Sequence, residues 1–111
     1  MKYALLIYSS DEVRNLPEYQ LQPIIREYEA ISNAPGVLGG QQLQPAGSAT
    51  TVRVDNGESL LTDGPFVDAK EYLGGFFLFE ADNLDAATEL AARIPAARMG
   101  GAVEVRPIVE R

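Results

Sequence analysis

The chain has 111 residues, a formal charge of −7, no cysteine and no histidine. Disulfides and thiolate metal sites are therefore excluded, and so are the commonest general base near neutral pH and the commonest metal ligand. An acidic chain repels phosphate backbones, which argues against direct nucleic-acid binding. One domain spanning 1–111 is the natural expectation at this length.

Tyr3 to Tyr8 is an unbroken apolar run of strand length. Alternation puts Tyr3, Leu5 and Ile7 on one face and Ala4, Leu6 and Tyr8 on the other. Both faces are apolar, so both should be covered. The run is short and lacks a small-residue cleavage site, so it reads as a strand rather than a signal peptide, and the protein as cytoplasmic. No apolar run approaches the ~20 residues of a membrane span.

Ser9 to Leu16 is polar and reads as a loop. Asn15-Leu16-Pro17-Glu18 resembles a helix start, with a capping side chain and an early proline. Leu21, Ile24, Ile25, Tyr28 and Ile31 follow at helical spacing. Pro23 either begins the helix proper or follows one turn and a kink. Ala34-Pro35-Gly36 ends it. Val37 to Gly47, with Gly39-Gly40 and Pro45, predicts an irregular strand or extended loop. Thr50 to Val54 and Ser59 to Thr62 are strands around Asp55-Asn56-Gly57-Glu58. Asn-Gly there favours a type I′ turn, because both central residues need positive φ.

Thr62 to Phe76 concentrates the unusual chemistry. Asp63-Gly64-Pro65-Phe66 predicts a turn in which Asp63 accepts from backbone N–H groups and Phe66 anchors the loop by burial. Tyr72 to Glu80 is an aromatic strand. Regular alternation places Glu71, Leu73, Gly75, Phe77 and Phe79 on the core face and Lys70, Tyr72, Gly74, Phe76 and Leu78 on the open, dimer-facing side, and a bulge at Gly74-Gly75 would swap that parity beyond it. Asp82-Asn83-Leu84-Asp85 opens a second helix with the stripe Leu84, Ala87, Leu90, Ala91 and Ile94. Pro95 stops it. Ala102 to Ile108 is the last strand.

The order is βαββαβ with an added β-hairpin, an α+β, ferredoxin-like arrangement. Two helices cover one face of such a sheet. The two-sided first strand then predicts a second copy on the other face, a two-fold homodimer.

The candidate site residues follow from these elements. Asp63 is either a general base or a turn organiser. Lys70 and Glu71 lead into the aromatic strand. Glu104 and Arg106 share one face of the last strand. With Lys70 and Arg53 they make either a charged ring around a cleft or a solvated ion-pair network. Arg98 either clamps an anion or caps helix carbonyls. The Tyr8 hydroxyl points into a cleft or sits at the edge of the core. No metal ligand set, phosphate loop or activated serine is present.

These residues closely resemble the YCII-related proteins, in the branch named for its DGPF motif. The resemblance rests on Met1-Lys2-Tyr3 through Ile7-Tyr8, Ala49 to Arg53, Asp63-Gly64-Pro65-Phe66, Lys70-Glu71 and Leu73-Gly74-Gly75. It continues through Pro95-Ala96-Ala97-Arg98 and Gly101 to Pro107. Asp68 stands where that family usually has glutamate, and Met99 where many relatives carry histidine. The resemblance implies a dimeric α/β barrel of ferredoxin-like subunits. No cofactor is expected. Relatives in the wider superfamily use a His–Asp pair, which this chain lacks. The branch is associated with sigma-factor genes, which implies a regulatory accessory role with a sigma-factor-related partner. That regulatory role is the alternative expectation; the first is a protein that binds a polar or anionic small molecule in a cleft by Asp63–Glu71, with isomerase- or lyase-type proton transfer. Asp63 would be the base, with Lys70 and Arg98 stabilising charge.

Overall fold

The computed structural model describes residues 1–111. Six strands and two helices run in the order β1 (Lys2–Ser9), α1 (Glu18–Ser32), β2 (Val37–Gln42), β3 (Thr50–Asp55), β4 (Glu58–Asp63), β5 (Tyr72–Glu80), α2 (Leu84–Ala92) and β6 (Ala102–Pro107). Four strands form one antiparallel sheet in the order β2-β5-β1-β6. The β3–β4 ribbon is a separate two-stranded sheet. This is the α+β, ferredoxin-like arrangement with an added hairpin.

Alternation along β1 decides the layers. Tyr3, Leu5 and Ile7 are buried under the helices, with Phe77 and Phe79 beside them from β5. Ile31 of α1, Ala87, Leu90 and Ala91 of α2, and Ile94 close this core from above. Burying each of the larger side chains contributes about 1.5–3 kcal/mol. The other face of β1 is half-buried. There Leu6 lies between Phe76 and Glu104, and Ala4 between Leu78 and Arg106. No helix packs on that side.

The first helix differs from its predicted start. Asn15 lies in a 3₁₀ turn over Asp11–Asn15, and α1 starts at Glu18 without a side-chain cap. Pro17 presets the entry, and its carbonyl accepts from the Gln20 and Leu21 N–H groups. Pro23 sits inside the helix. It removes one N–H bond early in α1, and the buried Ile24 and Ile31 carry the helix past it. Ile25 and Leu84 are exposed, so each apolar stripe is narrower than its periodicity suggested. Asn83 does cap α2, accepting from the Ala86 N–H at 2.9 Å.

The ribbon turn has φ of +50° at Asn56 and +79° at Gly57, as a type I′ turn requires. Asp55 stands opposite Glu58. Every residue of β4 is exposed. The radius of gyration is 15.8 Å, against about 13 Å for a compact chain of this length. The molecule is a slab of 45 × 44 × 19 Å. That thickness holds one sheet and one helix layer.

Candidate functional site

A groove of about 620 Å3 lies between the root of the ribbon and one end of the main sheet. One wall is the segment from Leu43 to Ala49. The other is the loop from Pro65 to Ala69. Tyr8, Glu71, Tyr72 and Leu73 form its floor.

Backbone bonds build each wall. The Leu43 N–H donates to Gly74 O at 2.9 Å, and the Arg14 guanidinium donates to Leu43 O at 2.6 Å. Asp63-Gly64-Pro65 turns the chain out of β4. Gly64 has a φ of +101°, which glycine adopts without a steric penalty. Its N–H donates to Ala49 O at 2.7 Å, and the Thr51 hydroxyl donates to Gly64 O at 2.8 Å. The turn is thereby laced to the opposite limb of the ribbon. The Tyr72 hydroxyl accepts from the Ala69 N–H at 3.0 Å and donates to Asp68 Oδ1 at 3.0 Å. That pair of bonds shapes the second wall.

The floor depends on a register shift. Ile7 pairs with Gly75, but Tyr8 pairs with Leu73, so Gly74 is skipped. Leu73 therefore joins Tyr8 on the face away from the helices, instead of entering the core with Gly75, Phe77 and Phe79. The shift falls at the glycine pair, where absent side chains relax the pleat.

Most of the lining is apolar. The polar groups are the hydroxyls of Tyr8, Tyr72 and Ser48, the Gln44 amide and the Glu71 carboxylate. Glu71 is the one acidic residue in the lining, which contains no lysine or arginine. None of the thirteen lining residues is buried.

Of the residues singled out from the sequence, Tyr8 and Glu71 line this groove. Asp63 ends β4 opposite Thr50, exposed, and accepts no side-chain hydrogen bond in its turn. Gly64 and Thr51 hold that turn instead. Lys70 is exposed on the loop before β5. Arg53 lies on β3 with its guanidinium carbon 5.3 Å from the centre of the Phe66 ring. Phe66 is 69% exposed, so it does not anchor the loop by burial. Glu104 and Arg106 pair with each other on β6 at 2.5 Å. Within one chain, then, the anticipated ring of Arg53, Lys70, Glu104 and Arg106 does not form.

Arg98 lies on the helix side of the sheet. Its guanidinium meets Glu27 of α1 at 2.5 Å. These two residues, with Ala30, Ile31 and Arg93, line a smaller hollow of about 270 Å3. Beside it, burial pushes the Tyr28 phenol above its ordinary pKa. The Ala96 backbone and Arg98 pull the other way, and Glu27 adds to the rise.

Sequence reasoning missed Tyr72, Arg14 and the wall from Gln44 to Ser48. Tyr72 reads from the sequence as a strand start on the open side of the sheet, with no partner for its hydroxyl. Its position four residues after Asp68, across a turn, was the available signal. Pro45 and Gly47 marked irregular backbone but not the direction of any side chain.

Comparison with known proteins agrees with this architecture. The YCII-related domain matches residues 1–111. The chain is also similar to an uncharacterized protein of Rhizobium meliloti (strain 1021). That protein is 33% identical over 114 residues, covering 97% of this chain and 92% of its own length. A match over every residue, joined to a relative of nearly equal length, makes the chain a member of the YCII-related family.

Proposed function

We propose that this protein is a homodimeric small-molecule-binding protein of the DGPF-motif branch, with its ligand in the groove by Asp63–Glu71. The observation that carries this is the groove itself: about 620 Å3, mostly apolar, with a few convergent polar groups. That size and lining suit a small organic ligand. Tyr8, Tyr72 and Ser48 offer hydroxyls, and Glu71 accepts from a donor or a cation. An anionic group finds no cation among the lining residues. The reading therefore favours a polar ligand with an apolar body and a hydrogen-bond-donating end. For proton transfer the groove offers Glu71 as the base in place of Asp63.

A thermal-shift panel of small amines, alcohols, amides and carboxylates tests this. A ligand present at 100 times its dissociation constant adds about 2.7 kcal/mol of stability. The stabilisation is expected from donor-bearing ligands, and is lost in Tyr8→Phe and Glu71→Gln but retained in Arg98→Ala. A panel without a hit, or hits that persist in both groove variants, overturns the reading.

A further inference from the structure

We infer that the hollow on the helix side of the sheet, framed by Arg93 and Arg98, is a binding site for phosphate, either free or at the end of a small metabolite. It is separate from the proposed groove, whose floor residues Tyr8 and Leu73 face away from the helices. Its test does not depend on that groove.

Cations are scarce in this chain, with nine Lys and Arg residues against sixteen Asp and Glu. Two of the nine nevertheless line one hollow of about 270 Å3, together with a single carboxylate, Glu27. Two guanidinium groups and one carboxylate leave the hollow a net charge of +1 on a protein whose formal charge is −7. Arg93 takes part in none of the ion pairs of the molecule. Like charges brought to one hollow repel each other, and an anion between them removes that cost.

The backbone under the two arginines is fixed. Arg93 directly follows α2, and Arg98 ends the 3₁₀ turn Pro95–Arg98. Between them Ile94 and Pro95 are fully buried. The Arg93, Ile94 and Ala97 N–H groups donate to the Leu90, Ala91 and Ile94 carbonyls. A clamp whose backbone is already ordered loses little further entropy on binding. Ile31, 2% exposed, closes the floor. The hollow is smaller than the roughly 300–1,000 Å3 of drug-sized sites, and the acidic chain repels polyanions, so the ligand is small.

The chemistry favours phosphate over a carboxylate. Each guanidinium presents a planar fork of donors, and one carboxylate fills one fork. Phosphate carries three strong acceptor oxygens and close to two negative charges, so it accepts from both forks at once. Glu27 is a weak competitor for it. Its Oε2 accepts from Arg98 Nη2 at 2.5 Å, but the two side chains are 43% and 51% exposed, and an exposed pair contributes little. Glu27 therefore holds Arg98 in place and yields it to a better anion. Tyr28, beside this pair, adds no opposing charge at neutral pH, because burial raises its phenol above the ordinary value.

Amide-shift titration by NMR at constant ionic strength tests the site, with inorganic phosphate, glycerol phosphate and acetate as probes. Phosphate is expected to bind with a Kd of about 1 mM and to shift the amides of Ala30, Ile31 and Arg93. Tighter binding of glycerol phosphate supports a metabolite's phosphate end, and equal or weaker binding supports free phosphate. Arg93→Ala and Arg98→Ala each weaken binding about tenfold or more. Arg93→Lys keeps the charge but loses the fork, and weakens it about threefold or more. Glu27→Gln removes the internal competitor and tightens it about threefold, a gain that a misfolded protein cannot mimic. Arg111→Ala, which deletes a positive charge at the exposed last residue, leaves it unchanged. The absence of a saturable shift up to about 30 mM phosphate overturns the site. So does acetate that binds as tightly as phosphate, or a Glu27→Gln variant that binds no tighter than wild type. Wild-type affinity in Arg93→Ala does the same, because Arg93 would then serve only the carbonyl end of α2.

Discussion

Tyr8 stands opposite Leu73, although its neighbour Ile7 stands opposite Gly75. Skipping Gly74 turns Leu73 away from the aromatic core and sets it beside Tyr8 in the groove. One irregularity in one strand pair thus supplies two residues of the floor. Without it, the alternation that buries Phe79, Phe77 and Gly75 would bury Leu73 as well.

The two glycines at that irregularity should differ sharply in tolerance. A Cβ on Gly75 would lie 2.8 Å from the Gln41 carbonyl oxygen, which belongs to the neighbouring strand. Backbone cannot swing aside, so Gly75→Ala should destabilise by about 1–3 kcal/mol. A Cβ on Gly74 meets the Ser9 hydroxyl at 3.3 Å, which can rotate, and the Ile7 carbonyl oxygen at 3.9 Å, an ordinary contact, so Gly74→Ala should stay within about 1 kcal/mol of wild type. Urea unfolding separates the two, and equal losses would contradict the register.

The DGPF turn should depend on its glycine and not on its acid. Gly64 sits at a φ of +101° and engages both Ala49 and Thr51. Gly64→Ala should cost roughly 1–2 kcal/mol through left-handed strain. Asp63 is exposed and unbonded within the turn. Asp63→Ala should then change stability by less than about 0.5 kcal/mol, as ordinary surface substitutions do. A larger loss at Asp63 than at Gly64 would restore the acid as the organiser.

Much of the fold was legible because it rests on local periods. The alternation of Tyr3 to Tyr8 and the Asn56-Gly57 turn each encode their structure within a few residues. So does the cap at Asn83. The site was less legible because it depends on distant pairings. Tyr8 and Glu71 were singled out for their chemistry, and both reach the groove. Arg98 was equally suggestive in sequence, but the crossover from α2 to β6 carries it to the helix side, where Glu27 meets it. Composition of a segment does not tell which layer a loop cation enters. Nor did the turn signals at Pro45 and Gly47 reveal that this stretch walls a groove.

The two asparagines that looked like helix caps offer a direct contrast. Asn83 Oδ1 accepts from the Ala86 N–H at 2.9 Å. Asn83→Ala should lower stability by about 1 kcal/mol. Asn15 lies in the 3₁₀ turn before α1 and caps nothing. Asn15→Ala should therefore be close to neutral. Matching losses in thermal unfolding would mean that α1 begins earlier than Glu18.

Tyr28 should make the protein sensitive to alkali. Burial raises its phenol above the ordinary value of 10.0, while the Ala96 backbone and Arg98 partly oppose the shift. In the unfolded chain the phenol loses its proton near that ordinary value. The folded protein holds the proton to higher pH, so across this interval the unfolded state binds fewer protons. Stability must then fall as pH rises. The contribution is fully present below about pH 10, the unfolded value, and is lost as pH climbs through the raised folded one. Tyr28→Phe removes the ionisable group, so its stability should decline less over that window. Arg98→Ala withdraws a nearby positive charge and should widen the window instead. Urea unfolding of the three proteins across the alkaline range reads the effect directly, and parallel curves for wild type and Tyr28→Phe would refute it.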